Sequence, residues 1–335
     1  MKILLTRSLL DVDRKYIDDG LSAFIGGQFQ ILIPETYDEE GLCKLIQDAD
    51  VLLGPFITEK MLAKAERLKL IQIPWAGLDS LNFDAVRNSQ IGESVMVCNS
   101  HSNAAVVAEF GVGLVLDLIK KISYHDRKMR RGNWNRDQQP LNLKSAILAN
   151  QTVCILGYGN IGRRMGKLLS AFGTKVIAVA NKRHGYPEVY KLYESSRLIE
   201  AVSQADICVC TLPLIPHTKG LINKETIGKM KKGCLFVNMS RADIVIEDDM
   251  YSALVEGTVA GFASDVWWNK PVRGASESFV STHNKFEELE NVILSPHRAG
   301  FVEGLLPHLD DAIINIINLA LGKKLINIVD LNARY

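Results

Sequence analysis

The stretch Val153-Cys-Ile-Leu-Gly157-Tyr-Gly159-Asn160-Ile161-Gly162 decides how this chain is read. Four apolar residues, as a buried strand requires, run straight into three glycines spaced Gly-x-Gly-x-x-Gly. Arg163-Arg-Met-Gly-Lys-Leu-Leu169 then reads as a helix, and residues 176–179 as the next strand. A glycine triplet alone is weak evidence; with a strand before it and a helix after it, it has the setting of a dinucleotide-binding turn. Gly157 permits the tight turn, Gly159 lets the backbone approach a pyrophosphate, and Gly162 lets helix close on strand. Asn160 and Ile161 open the helix, whose N–H groups and positive dipole end face the phosphates.

The alternation continues outward. Downstream, 207–210, 234–237, 261–263 and 292–294 are apolar runs of strand length. Upstream, 3–5, 30–33, 51–53 and 70–73 read as buried strands, with 39–48 and 58–67 helical between them and 96–98 closing the unit. Strands alternating with helices predict α/β architecture: two doubly wound parallel sheets. Residues 103–128 read as one long helix, and the last helix runs from about 301 to 321.

The 335 residues are 47% hydrophobic and 23% charged, with a formal charge of +1. Scattered Lys and Arg give no footprint for nucleic acid or an anionic membrane, so neither is expected as a partner. No apolar stretch reaches the length of a membrane span. The six cysteines show neither metal-ligand nor disulfide spacing; no metal site is expected, and a reducing cytoplasm suits the thiols. At the end of the strand 176–179, an NAD site places Asp or Glu on the ribose about 20 residues past the glycines. Here Ala180 is followed by Asn181-Lys182-Arg183. With no carboxylate to repel a 2′-phosphate and two cations to pair with it, NADP is preferred as cofactor, with NAD as the alternative.

With these residues in view, the chain resembles the D-isomer-specific 2-hydroxyacid dehydrogenases along nearly its whole length. The matching stretches are Ala76-Gly-Leu-Asp79, Asn103 with Val107-Ala-Glu109, Gly157–Gly162, Leu212-Pro213-Leu214 with His217-Thr218, Val237-Asn-Met-Ser-Arg241, Asp265-Val266, and Ser295-Pro-His-Arg-Ala-Gly300. The resemblance implies a Rossmann-type cofactor domain, 102–296, inserted into a flavodoxin-like substrate domain made of 1–101 and 297–335. The site would lie in the cleft between them, the helices near 103–128 and 301–321 would act as the hinge region, and the protein would be a homodimer joined through its cofactor domains. It implies hydride transfer between NAD(P)H and a small 2-oxo or 2-hydroxy acid. Arg241 matches the catalytic arginine, whose planar guanidinium binds a carboxylate and reaches the carbonyl oxygen. His297 matches the acid/base that gives or takes the oxygen's proton. Ala76, Gly77 and Leu78, with Asn103, match the substrate-binding loop; Leu212, Pro213, Thr218 and Asp265 match cofactor contacts, Asp265 toward the nicotinamide amide.

Three departures stand out. Lys270 occupies the place of the family's histidine-pairing Glu, a charge reversal. An ammonium beside an imidazole lowers its pKa where a carboxylate raises it. Either Lys270 turns to solvent, or Glu303 or Asp79 orients His297, or activity is attenuated. Lys270→Glu is therefore expected to move the pH–rate profile upward, and an unchanged profile would place Lys270 away from the imidazole. Ala242 replaces a usual glycine after Arg241, so the turn there is expected to differ if it needs a positive φ. Trp267 and Trp268 either shape an apolar pocket or pack in the core. The altered residue 270 keeps alive a cofactor-binding regulatory or scaffold protein of the same fold; Asp265-Val-Trp267 keeps alive a formate-dehydrogenase-like enzyme.

Overall fold

The computed structural model describes residues 1–134, 145–181, 186–269, 282–303 and 307–334. Lys182, Arg183 and Lys270 lie outside them. The chain forms two compact units, Met1–Asn103 with Phe301–Tyr335, and Ala104–Gly300. No helix among the described residues is long and apolar enough to cross a membrane.

The first unit is a parallel five-stranded sheet: β1 (Lys2–Leu5), β2 (Gln30–Leu32), β3 (Val51–Leu53), β4 (Leu70–Gln72) and β5 (Met96–Cys98), in the order β2-β1-β3-β4-β5. This is the flavodoxin-like order. Period-two alternation sends Ile3 and Leu5 into one apolar cluster and Leu4 into another, so both faces are buried. On one face the helix Asp11–Ile25 packs against Asp310–Ala320. A Cβ on Gly20 would lie 3.0 Å from Ile313 Cδ1, so the glycine sets how closely these helices approach. The last helix begins at Asp310, after a 3-10 turn over Pro307–Leu309, and not at 301; Phe301 and Val302 are exposed. Of the helices expected over 39–48 and 58–67, the first is Glu39–Cys43, stopping early, and the second is Glu59–Lys64, shorter at both ends; a third short helix is Phe83–Asn88.

The second unit is a parallel seven-stranded sheet: β6 (Thr152–Leu156), β7 (Lys175–Val179), β8 (Lys191–Tyr193), β9 (Ile207–Cys210), β10 (Cys234–Asn238), β11 (Val259–Ser264) and β12 (Val292–Leu294). Its order, β12-β11-β10-β9-β6-β7-β8, reverses at β6, the Rossmann switch point. Cys154 and Leu156 enter the cluster on one face, Val153 and Ile155 the cluster on the other. The helix expected over 103–128 is two helices, Ala104–Lys120 and Ile122–Arg130. Lys121 breaks it in the left-handed region (φ 57°), and Asp117 caps the second helix by accepting from the Ser123 backbone N–H at 2.7 Å and from its hydroxyl.

Candidate active site

Sheet register builds the site. Leu156 pairs with Val179 on one side and Cys210 on the other; Cys210 pairs with Asn238, Asn238 with Ser264, and Ser264 with Leu294. One row therefore crosses six strands. Everything just beyond it — Gly157, Ala180, Leu212, Arg241, Asp265 and His297 — emerges at the carboxyl edge, where parallel α/β sheets bind ligands.

The glycine turn fits a dinucleotide. Gly157 has φ 94°, and a Cβ there would stand 2.9 Å from the Leu212 backbone nitrogen. A Cβ on Gly162 would collide with the Gly157 carbonyl oxygen and lie 2.9 Å from Thr211 Oγ1. Gly159 alone of the three opens onto empty space, and it starts the helix Asn160–Ala171 with no side-chain cap. Backbone N–H groups at an uncapped helix N-terminus, beside space a side chain would fill, are what a pyrophosphate requires. Tyr158, between the glycines, turns inward and donates to Glu188 at 2.7 Å; burial and that bond push its phenol pKa well up, so it serves as structure and not as an acid. Gly159→Val should leave the apo protein's Tm near wild type while dinucleotide affinity falls at least about tenfold. Gly162→Ala should lower both. Thermal melts and cofactor titration check this, and a Gly159→Val protein that binds cofactor normally would contradict it.

Beside the turn, Asn181 is exposed at the end of β7 and bonded to the Ser195 hydroxyl. Thr218, mostly buried, receives Ile215 N at 2.9 Å and donates to Pro213 O at 2.6 Å, so it shapes the loop that carries Leu212 and Pro213.

Arg241 follows β10 in extended conformation (φ −135°, ψ 146°). Fully buried Asn238 holds its backbone: Asn238 Nδ2 donates to Arg241 O at 3.2 Å and Oδ1 accepts from Ser240 N at 3.1 Å. Ser240 also ties to the Leu212 carbonyl, and Arg241 Nη1 donates to Ser240 O at 2.9 Å. Ala242 begins a 3-10 turn and is not among the positive-φ residues, so the missing glycine costs no backbone strain.

His297 is exposed and left-handed (φ 55°), a strained conformation for a side-chain-bearing residue. Buried Asp265 holds its loop, taking the Ser295 hydroxyl, Arg298 N at 2.8 Å and Ala299 N at 3.0 Å. Trp267 Nε1 adds a bond to Ser295 O at 2.9 Å. The carboxylate thus acts first on the histidine loop, with lone-pair capacity left on Oδ2 for an amide. Both tryptophans resolve to core packing: Trp267 meets Phe262 and Phe286 edge-to-face, Trp268 packs at a tilt against the same two rings, and Trp268 Nε1 donates to Val245 O at 2.9 Å.

In the first unit, Ala76, Gly77 and half-buried Trp75 lead from β4 into buried Leu78, and Ala76 O accepts from Asn99 Nδ2 at 2.9 Å. Asn103 is half-buried at the end of the segment following β5. Asp79 and Glu303, the other carboxylates considered for orienting His297, are exposed residues of this unit. Asn238, Ser240 and Ser295 fall inside the matched motifs, but sequence alone assigns them no role; the structure shows all three buried at strand ends, holding the Arg241 and His297 loops.

The model of the D-isomer specific 2-hydroxyacid dehydrogenase NAD binding domain matches residues 112–299. The chain belongs to this family. Its members are oxidoreductases that exchange hydride with a nicotinamide dinucleotide. The protein is similar to D-3-phosphoglycerate dehydrogenase of Methanocaldococcus jannaschii, at 29% identity over 90% of this chain and 54% of that one. It is also similar to hydroxypyruvate reductase of Blautia hydrogenotrophica, at 27% identity over 88% of each. The chain spans only about half the length of the phosphoglycerate dehydrogenases it matches. Among solved structures, the family's Xanthobacter autotrophicus member in complex with NADPH and MES shares the fold, with a TM-score of 0.79, 22% identity, and coverage of 100% of this chain and 99% of that one.

Proposed function

We propose that the protein reduces a small 2-oxo acid to the 2-hydroxy acid with NADPH as preferred cofactor. The observation that carries this is the register row, which brings the glycine turn and the Arg241 and His297 loops to one carboxyl edge of one sheet. Gly157–Gly162, Asn181 and the Leu212–Thr218 loop would hold the dinucleotide, which when bound supplies the hydride. Arg241 binds the substrate carboxylate and polarises the carbonyl; the oxygen's developing charge is what a pre-placed guanidinium stabilises best. His297, protonated, delivers a proton to that oxygen, and neutral it accepts the hydroxyl proton in the reverse direction. Asp265 keeps the His297 loop in place and offers its remaining capacity to the nicotinamide amide. The Ala76–Leu78 loop, with Asn103, presents backbone N–H groups to the substrate carboxylate.

NADP preference rests on Asn181-Lys182-Arg183, where no carboxylate stands to repel a 2′-phosphate. Six buried, unbridged cysteines agree with work in a reducing cytoplasm. Exposed Ile122, Met129, Trp134 and Ile147 on the cofactor unit support a homodimer through that unit. A grid of glyoxylate, hydroxypyruvate and longer 2-oxo acids against NADPH and NADH tests the reading. Turnover is expected, with the larger kcat/KM for NADPH; no oxidation of either cofactor with any acid would overturn it.

A further inference from the structure

The first unit carries a cation at its own ligand edge that the reading above does not use. Leu5, Leu53, Gln72 and Cys98 pair in one row across β1, β3, β4 and β5, so Arg7 leaves the sheet at the same edge as the Ala76–Leu78 loop. Its backbone is anchored: Thr6 N donates to Leu53 O at 3.1 Å, and Thr6 Oγ1 accepts from Phe56 N at 3.4 Å. Gly54, at φ 134°, is where it is because a Cβ would collide with Thr6 Oγ1. The Arg7 guanidinium carbon lies 5.4 Å from the centroid of the Trp75 ring, and Trp75 immediately precedes Ala76. Among the described residues Arg7 makes no ion pair, and its side chain is solvent-facing. His308 feels the same charge: burial chiefly holds it below the usual imidazole range, with Arg7 adding to the effect and Asp13 and Asp310 opposing it. A guanidinium over an indole face spends none of its N–H groups on that contact, and its planar fork takes carboxylate or phosphate in bidentate fashion.

We propose that Arg7 is a specificity-determining residue that reads a second anionic group on the substrate, so that the preferred 2-oxo acid carries a distal carboxylate or phosphate. This deepens the reading above and rests on it for the identity of the reacting end. The Ala76–Leu78 loop takes the carboxylate next to the carbonyl; Arg7, reached through Trp75, takes the far one.

The test compares acids that differ only at the far end: 2-oxoglutarate against 2-oxopentanoate, and phosphohydroxypyruvate against hydroxypyruvate. The wild-type ratio of kcat/KM should favour the member with the second anion in at least one pair, and the pair that responds identifies carboxylate or phosphate. In Arg7→Gln that ratio should fall by about tenfold or more, mostly through KM, and Arg7→Lys should restore only part of it. A ratio unchanged by Arg7→Gln overturns the proposal, as does a wild-type preference for the uncharged member of both pairs. Calorimetric titration of the cofactor-loaded protein with the same four acids separates this from failure of the underlying reading. Arg7-dependent binding without turnover would sink the reductase reading and keep the anion site, whereas binding indifferent to Arg7 would sink the anion site.

Discussion

Arg241→Ala is expected to keep its fold and its affinity for dinucleotide while losing kcat/KM for every 2-oxo acid by on the order of 10²–10³-fold or more. The fold survives because Asn238 and Ser240 secure this loop, although the Nη1 bond to Ser240 O is lost. Asn238 is fully buried and bonds the Arg241 carbonyl and the Ser240 N–H through its side chain, and Ser240 ties to Leu212. Alanine leaves all of these in place. What disappears is the one planar cation beyond the end of β10, and with it both the grip on the carboxylate and the charge that stabilises the oxyanion. Arg241→Lys should recover only a small part, since an ammonium cannot span two carboxylate oxygens in a fixed fork. Steady-state kinetics with a parallel cofactor titration decides it. A variant with near wild-type kcat/KM would remove Arg241 from the chemistry.

His297→Asn should lose roughly 10²–10⁴-fold in turnover, the range for a deleted general acid/base, without losing stability. The second half of that expectation comes from backbone geometry. His297 sits at φ 55°, a conformation that costs a histidine on the order of 1–3 kcal/mol and that asparagine accepts more readily. A residue chosen for stability alone would not be histidine there. Asp265→Asn should instead fail on both counts, because it replaces a carboxylate accepting three bonds from Ser295, Arg298 and Ala299, and an amide accepts through only one oxygen. Melting temperatures beside rates check the pair. A large drop in Tm for His297→Asn would recast the histidine as a structural element.

Much of this site was legible in the chain because its chemistry is local. Strand, glycine turn and helix are contiguous, so the Gly157–Gly162 turn could be read in one window, and the three glycines divide their roles as the spacing implies. Arg241 and His297 were legible as motif positions, yet the left-handed backbone of His297 was not, since nothing local to Ser295-Pro-His-Arg demands it; Asp265, thirty residues earlier, imposes it. The sheets were read from apolar runs, while edge strand β8 was missed because Lys191–Tyr193 holds only one fully buried side chain. The break at Lys121 escaped notice for a related reason. No Gly or Pro marks it, and the cap that permits it is a single carboxylate, Asp117, reaching past the turn. Helix Asp11–Ile25 buries Asp13, Ile17, Leu21 and Ile25, a four-residue stripe whose partner lies nearly the whole chain away. Long-range pairing of this kind leaves little trace in a window of sequence.

Direct hydride transfer at the carboxyl edge of β6–β12 underlies every expectation above. Its most direct test is one turnover with NADPH deuterated at the transferring carbon and a 2-oxo acid from the active set, with the product analysed by mass and chirality. Deuterium retained at C2 of a D-configured 2-hydroxy acid is the expected result. Tight cofactor binding with no label in any product would contradict the claim and leave a protein that holds its dinucleotide without using it.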